Sequence, residues 1–148
     1  MSNKVPPPII TLICGFLIYL SKPFFPELIF NYANILSLFF LILGLSIIVI
    51  SFRLFKKEKT TINPIMIEKA SLLVTSGVFK YSRNPMYLGM VLILISISIK
   101  FNFYGGVLIV AVFFFFITYF QIIPEEKAML KLFGKEFIKY KKQTRRWI

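Results

Sequence analysis

The chain has 148 residues, 57% of them hydrophobic and 18% aromatic, yet it carries 18 Lys and Arg against 6 acids, a net charge of +12. An apolar fraction above that of soluble domains, joined to so much charge, excludes an ordinary soluble domain and predicts one membrane domain over residues 1–148. There is no histidine and every acid is a glutamate, so Ser-His-Asp triads, zinc-protease helices and aspartate-built magnesium sites are excluded and no metal site is expected.

Residues 1–8 form a short polar lead whose three prolines favour extended polyproline geometry. The apolar run 9–20 follows, and continuing it to Phe25 brings it near the lower limit of about 17 residues for a span. Pro23 and Pro26 end it. It reads as an uncleaved helix rather than a signal peptide, because no small-x-small cleavage site follows Leu20. Residues 33–55 form the second expected span, with Gly44 and Ser46 at one level where another helix can approach closely. Arg53, Lys56, Lys57 and Lys59 stop it.

The stretch 58–83 is polar and carries the turn signals Asn63-Pro64 and Ser76-Gly77. Residues 86–99 resume the apolar character. Their alternating Ile and Ser residues would read as a strand in water, but a lone strand in lipid leaves its backbone unsatisfied, so a helix is expected. A hairpin at 100–106 leads into a fourth span at 104–123, closed by Pro124. The remainder, 125–148, is basic and sets Ala128, Met129, Leu132, Phe133 and Phe137 at helical spacing, as a helix lying along a membrane surface does. The expected architecture is an all-α integral membrane fold, with about four transmembrane helices plus a C-terminal amphipathic interfacial helix.

Seven basic residues lie between Arg53 and Arg83 and eight from Lys127 onward, with only Lys4, Lys22 and Lys100 elsewhere. Four spans put both blocks and the N-terminus on one side, which the positive-inside rule makes cytoplasmic. The charge falls between and after long apolar runs rather than on a soluble face, so the expected partner is the lipid bilayer and not nucleic acid. The Ile, Lys, Phe and Asn bias, without an organelle signal, points to a bacterial inner membrane.

That topology gathers the polar residues of the 58–83 loop and the Pro124-Glu125-Glu126 corner at one end. Within the loop, Leu73-Val74, Gly77, Phe79, Arg83-Asn84-Pro85, Tyr87 and Gly89 occur in order. After them come Pro124-Glu125-Glu126, Leu130, Phe133-Gly134, Phe137, Tyr140 and Arg145-Arg146-Trp147-Ile148. Both segments resemble the signature of the isoprenylcysteine carboxyl methyltransferase family and its phospholipid methyltransferase relatives. The resemblance covers the half of the chain from Thr60 onward, residues 60–148, while the first two spans match only in being apolar.

The resemblance implies an S-adenosylmethionine-dependent methyltransferase whose acceptor is lipophilic and enters from the bilayer. The backbone at Ser71, Leu72, Leu73 and Val74 would cradle the adenine end of the cofactor, with Gly77 turning the loop and Phe79 packing against it. Asn84, Pro85 and Tyr87 would line its other side, and Glu125 with Glu126 would bind its polar end by charge-assisted hydrogen bonds. Arg83, Asn84 and Glu125 are the residues carried over as catalytic. Methyl transfer from a sulfonium is a one-step in-line displacement, so it runs without a histidine base. Two positions depart from the pattern. Asn84 stands where many members have histidine, and the amide does not carry protons near neutral pH. Gln121, the expected substrate residue, stands where the isoprenylcysteine enzymes place an arginine for the substrate carboxylate, and it lacks the guanidinium charge and fork. A phospholipid amine or small-thiol methyltransferase, or a non-enzymatic membrane scaffold, therefore stands beside the prenylcysteine reading.

Each of these residues also has a plainer reading. Pro124 with two acids is what a helix N-terminus prefers. Arg83-Asn84-Pro85 is an ordinary interfacial helix entry. Tyr81 and Trp147 read as interfacial belt aromatics, the phenylalanines 113–116 as lipid-facing or packing surface, Gly89 as a close-approach position and Cys14 as inert filler.

Overall fold

The first helix begins earlier than the prolines predict. The structure, a computed structural model, describes residues 5–28, 30–58 and 72–148, and in it α1 runs Pro7–Leu20. Pro7 and Pro8 fall in its first turn, where the missing N–H has no intrahelical partner to lose, so they start the helix instead of holding an extended lead. Lys22–Phe24 forms a single 3-10 turn after it. Then come α2 (Ala33–Lys57), α3 (Pro85–Phe101), α4 (Phe103–Ile117) and α5 (Ile123–Gln143). Among the described residues there is no strand, and the alternating stretch 93–99 is helical, as expected.

α2 and α3 pair antiparallel through small residues. A Cβ on Gly44 would lie 2.7 Å from the Gly89 carbonyl oxygen, and one on Gly89 would lie 2.7 Å from that of Gly44, so the two backbones touch where neither has a side chain. Further along, the Ser37 hydroxyl donates to the Ser96 carbonyl at 3.0 Å and the Ser96 hydroxyl to the Ser37 carbonyl at 2.7 Å. Ser46, expected beside Gly44 in the contact, is exposed instead, because it sits two residues round the helix from the seam. α3 is the central element, with Leu94 fully buried among Ile18 of α1 and Phe113 and Ile117 of α4. Cys14 fills space in this cluster.

The α3–α4 hairpin is tighter than the expected 100–106, since Asn102 alone separates the helices. Asn102 holds that place with both ends of its amide: Oδ1 accepts from the Gly105 N–H at 3.2 Å, capping α4, and Nδ2 donates to the Ser21 hydroxyl at 2.9 Å, fixing α1.

Two helices are long and apolar enough to cross a membrane, α2 and the continuous helical stretch Phe103–Gln143. α1 has 14 residues and α3 has 17, short of the roughly 20 that a full span takes. Apolar side chains dominate the outer surface of α2, where Ile35, Leu38, Phe39, Ile42, Leu45 and Val49 are all exposed. The phenylalanine run on α4 divides between the two expected roles, Phe115 facing outward and Phe113 packing in the core.

Candidate active site

Pro124 shapes the site before any polar group acts. It has no N–H to offer the Phe120 carbonyl four residues back, and its ring crowds that carbonyl. The chain answers by widening into a π turn at Thr118–Ile122, in which the Ile123 N–H reaches back to the Thr118 carbonyl. Helical backbone is thus continuous from α4 into α5. There is no free helix N-terminus at residues 123–126 for Glu125 and Glu126 to cap, which removes the plainer reading of those acids. The π turn also widens the helix at the point where Gln121 and Glu125 share a face, and such single-turn bulges recur at functional sites.

Glu125 is the centre of a polar trio. Its Oε1 accepts from the Tyr87 hydroxyl at 2.5 Å and from Nε2 of Gln121 at 2.7 Å. Tyr87 and Gln121 are buried, at 8% and 5% exposure, and Glu125 beside them is partly buried. No cation faces the carboxylate in the structure: among the described residues the ion pairs are Lys22 with Glu27, and Arg83 and Arg146 with Glu126. Burial, helped by the negative Glu126 beside it, pushes the Glu125 carboxyl up to about 7 against the opposing pull of its two hydrogen bonds. Gln121 Oε1 is buried with no partner, an acceptor left unused at the same place.

Glu126 is in the opposite condition. Arg83 donates to its Oε1 at 2.7 Å, and Arg146 grips both oxygens, from Nε at 3.1 Å and from a terminal nitrogen at 2.8 Å. Burial pushes this carboxyl up, but the hydrogen bonds from Arg146 and Arg83 outweigh it and hold Glu126 below the usual carboxylate range. The pairing raises Arg146 in turn. Arg83 is fully committed to structure at its terminal nitrogens, since its other one donates to the carbonyls of Thr144 and Lys141.

The tail after α5 folds back over this corner. The Arg83 N–H donates to the Arg145 carbonyl at 3.0 Å, and the Asn84 side-chain amide donates to the Arg146 carbonyl at 2.9 Å. Trp147 then stacks on Phe114, with ring centroids 4.4 Å apart and planes at 24°. It is a packed residue of the bundle, not a belt aromatic, because the strap pulls it inward; Tyr81, 78% exposed, keeps the belt position.

The remaining loop residues form a cap. Leu73, Val74 and Phe79 are buried against Phe137 and Tyr140 of α5, and Phe79 meets Phe55 of α2 edge to face at 5.1 Å. The Tyr140 hydroxyl donates to the Phe79 carbonyl at 2.6 Å, closing the cap onto the helix. Gly77 makes the turn possible, with φ of +58° and a neighbouring Leu54 side chain only 2.7 Å from where a Cβ would be. Leu72 is exposed, Pro85 is fully buried at the start of α3, and Ser71 lies outside the described residues.

The expected site residues therefore fall into three joined groups. Tyr87, Gln121 and Glu125 meet directly. Arg83, Asn84 and Glu126 meet through the tail. Leu73, Val74, Gly77 and Phe79 build the cap. Arg146, Trp147 and Tyr140 were missed as working residues, although arginine usage carried a signal: the chain has only four arginines, Arg53, Arg83, Arg145 and Arg146, in a lysine-rich composition. Three of those four belong to this corner, where a bidentate fork is needed and an ammonium does not serve.

The model of the family described as phospholipid methyltransferase matches residues 32–136. No curated protein and no solved structure matches the chain. The matched stretch begins at the start of α2, well before the motif-bearing half, and takes in the cap, the α3 entry and both glutamates, while Tyr140, Arg146 and Trp147 lie beyond it. With two helices long enough to span and a match over most of its length, the chain is an integral membrane protein that belongs to the phospholipid methyltransferase family, within the isoprenylcysteine carboxyl methyltransferase-like group.

Proposed function

We propose that the protein is an S-adenosylmethionine-dependent methyltransferase acting on a lipophilic acceptor, at the cytoplasmic end of a four-span domain in a bacterial inner membrane. One observation carries the reading: Glu125 is a largely buried carboxylate with two neutral hydrogen-bond donors and no ion-pair partner among the described residues. A buried acid in that state lacks its counter-charge, and a cationic ligand supplies it. S-adenosylmethionine fits the donor set, since it brings an ammonium, a sulfonium and ribose hydroxyls to a carboxylate and to the unpartnered Oε1 of Gln121. When bound, it supplies an electrophilic methyl group that an acceptor lone pair displaces in line.

The chain's own residues bind, orient and exclude water. Glu125 holds the cationic end, and Tyr87 and Gln121 fix the direction of its carboxylate. Asn84 and Glu126 act one step back, tying down the tail that walls the corner. Trp147 continues that wall to Phe114, which also lines an apolar groove of about 400 Å³ between α3 and α4, together with Ile95, Ile99, Val107 and Ala111. Ser98 also lines the groove but spends its hydroxyl on the Leu94 carbonyl, and the otherwise apolar wall suits the hydrocarbon part of an acceptor.

Within this function the acceptor is better read as an amine than as a prenylcysteine carboxylate. A carboxylate needs a free cation, and the two guanidiniums of the corner, Arg83 and Arg146, are both paired with Glu126, while the neutral Gln121 donates its amide to Glu125. Beside Glu125 the corner offers a newcomer the unpartnered acceptor Gln121 Oε1, which an amine's N–H satisfies, while Arg83 Nε and Trp147 Nε1 are buried donors that also lack partners.

The test is calorimetric binding of S-adenosylmethionine to the purified full chain, beside Glu125→Ala and a surface control, Lys22→Ala. Micromolar binding is expected for wild type and control, with a loss of about 1.5–3 kcal/mol in Glu125→Ala, the range for a hydrogen bond to a charged group. A folded wild type that does not bind sinks the enzyme reading. Given binding, labelled methyl transfer to phosphatidylethanolamine and not to a prenylated cysteine supports the amine.

A further inference from the structure

Among the described residues most of the exposed charge lies at one end of the molecule, and the largest share of it is on one helix. α5 carries Lys127 and Lys131 ahead of Gly134 and Lys135, Lys139 and Lys142 beyond it, all exposed. Gly134, at φ +48°, kinks the helix, and within each half the three- and four-residue spacings set these five lysines on one face, while Lys141 lies off it, over the Phe137 ring at 6.0 Å. That face is turned from Phe137 and Tyr140, which are buried against the cap. Among the described residues no ion pair involves these ammonium groups, and Glu136 is the one exposed acid on α5. Arg53, Lys56 and Lys57 at the end of α2, with Lys80 and Arg145, add exposed positive charge around the same cap.

Exposed apolar side chains interleave with the lysines. Leu130, Leu132 and Ile138 are each more than two-fifths exposed on the same helix. A basic surface that binds a polyanion in water has no use for such residues, whereas a helix seated at a lipid surface buries them among acyl chains and lets the lysine stems reach up to the phosphates.

We propose that this basic ridge of α5 binds the headgroups of anionic phospholipids in the leaflet at that end of the molecule. Charge complementarity identifies the lipid class: a row of unpaired ammonium groups next to membrane-spanning helices attracts acidic headgroups over zwitterionic ones, and the attraction is lost within a Debye length. The ridge goes beyond methyl transfer and does not depend on it. It bears on the site all the same, because Glu125 and Glu126 lie in the first turn of the helix that the headgroups would seat.

The full chain is reconstituted in phosphatidylcholine bilayers, and spin-labelled phosphatidylglycerol and phosphatidylcholine are compared for the fraction immobilised at the protein. Wild type is expected to prefer the anionic probe by roughly fivefold, a preference that falls close to one in about 0.5 M salt. Replacing Lys127, Lys131, Lys135 and Lys139 together with Gln keeps helix propensity and removes the charge, so the preference should collapse while the helical circular dichroism persists. The matching Lys→Arg set should retain it. An unchanged preference in the Gln set overturns the assignment to α5. A wild type that shows no preference, but retains a short single-stranded oligonucleotide, overturns the lipid reading altogether.

Discussion

Glu125 and Glu126 are neighbours in sequence and near opposites in state. Glu126 has its charge balanced by two guanidiniums and keeps the tail in place; Glu125 has no ion-pair partner among the described residues. The imbalance predicts a pH dependence. Only the ionised carboxylate holds a cation, and the Glu125 carboxyl titrates near about 7, so S-adenosylmethionine affinity should be full near pH 8 and fall by up to about tenfold per unit below pH 7. Glu125→Gln should bind weakly and flatly across the same range, and calorimetry at stepped pH reads both. The sign for folding is the reverse: a carboxyl raised above its unfolded value favours the fold at low pH, and that contribution is lost as pH rises through about 7. The sequence offered both glutamates as equals, since nothing local in Pro124-Glu125-Glu126 tells which one the distant Arg146 will take. Asn84 shows the same limit. Its place at the head of α3 was legible, but its amide is bound to a tail carbonyl 62 positions away, a contact only the fold creates.

At the scale of elements, the α2–α3 seam is the most exacting contact. Gly44 meets backbone, which cannot yield as a flexible side chain would, so Gly44→Leu should cost about 3 kcal/mol by overpacking, and a denaturant titration in detergent reads it as an earlier midpoint. Leu38→Ala on the outer face of α2 should be near neutral by the same measurement, because that side chain meets lipid and not protein. Apolar run length places all four bundle helices to within a few residues, and small-residue spacing finds Gly44 and Gly89. The start of α1 is misplaced when proline is weighed as a helix breaker, because here it serves as a helix opener. The π turn leaves no mark that periodicity detects, although Pro124 is its cause.

At the scale of the whole molecule, charge asymmetry and helix length bear on topology. The basic end holds the cap, α5 and the tail, while the opposite end holds Lys22, Glu27 and the Asn34–Lys100 hydrogen bond. Four crossings require α1 and α3, at 14 and 17 residues, to traverse with help from their flanks or from local thinning of the bilayer. Single cysteines at Ser76 and Gln143 should label from one side of sealed vesicles, and at Phe24 and Tyr104 from the other, with Cys14 replaced by Ala. If Phe24 labels with Ser76, α1 does not cross. The class of fold was legible from composition alone because hydrocarbon admits so few backbones. The closing of the tail over the corner was not, since it depends on hydrogen bonds that link Arg83, Asn84 and Glu126 to residues 144–146, partners far apart in sequence.

The π turn carries a consequence for how such a site is gained or lost. A π turn is an α-helix holding one extra residue, and each residue of an α-helix rotates the rest of the chain by about 100°. Deleting a single codon between Thr118 and Ile122 would keep the helix, its hydropathy and both glutamates, yet swing Glu125 away from Tyr87 toward another face. Descendants of this scaffold with and without a working corner can thus differ by one codon of length, a change that a comparison of compositions passes over and a count of residues from Pro124 back to α4 detects.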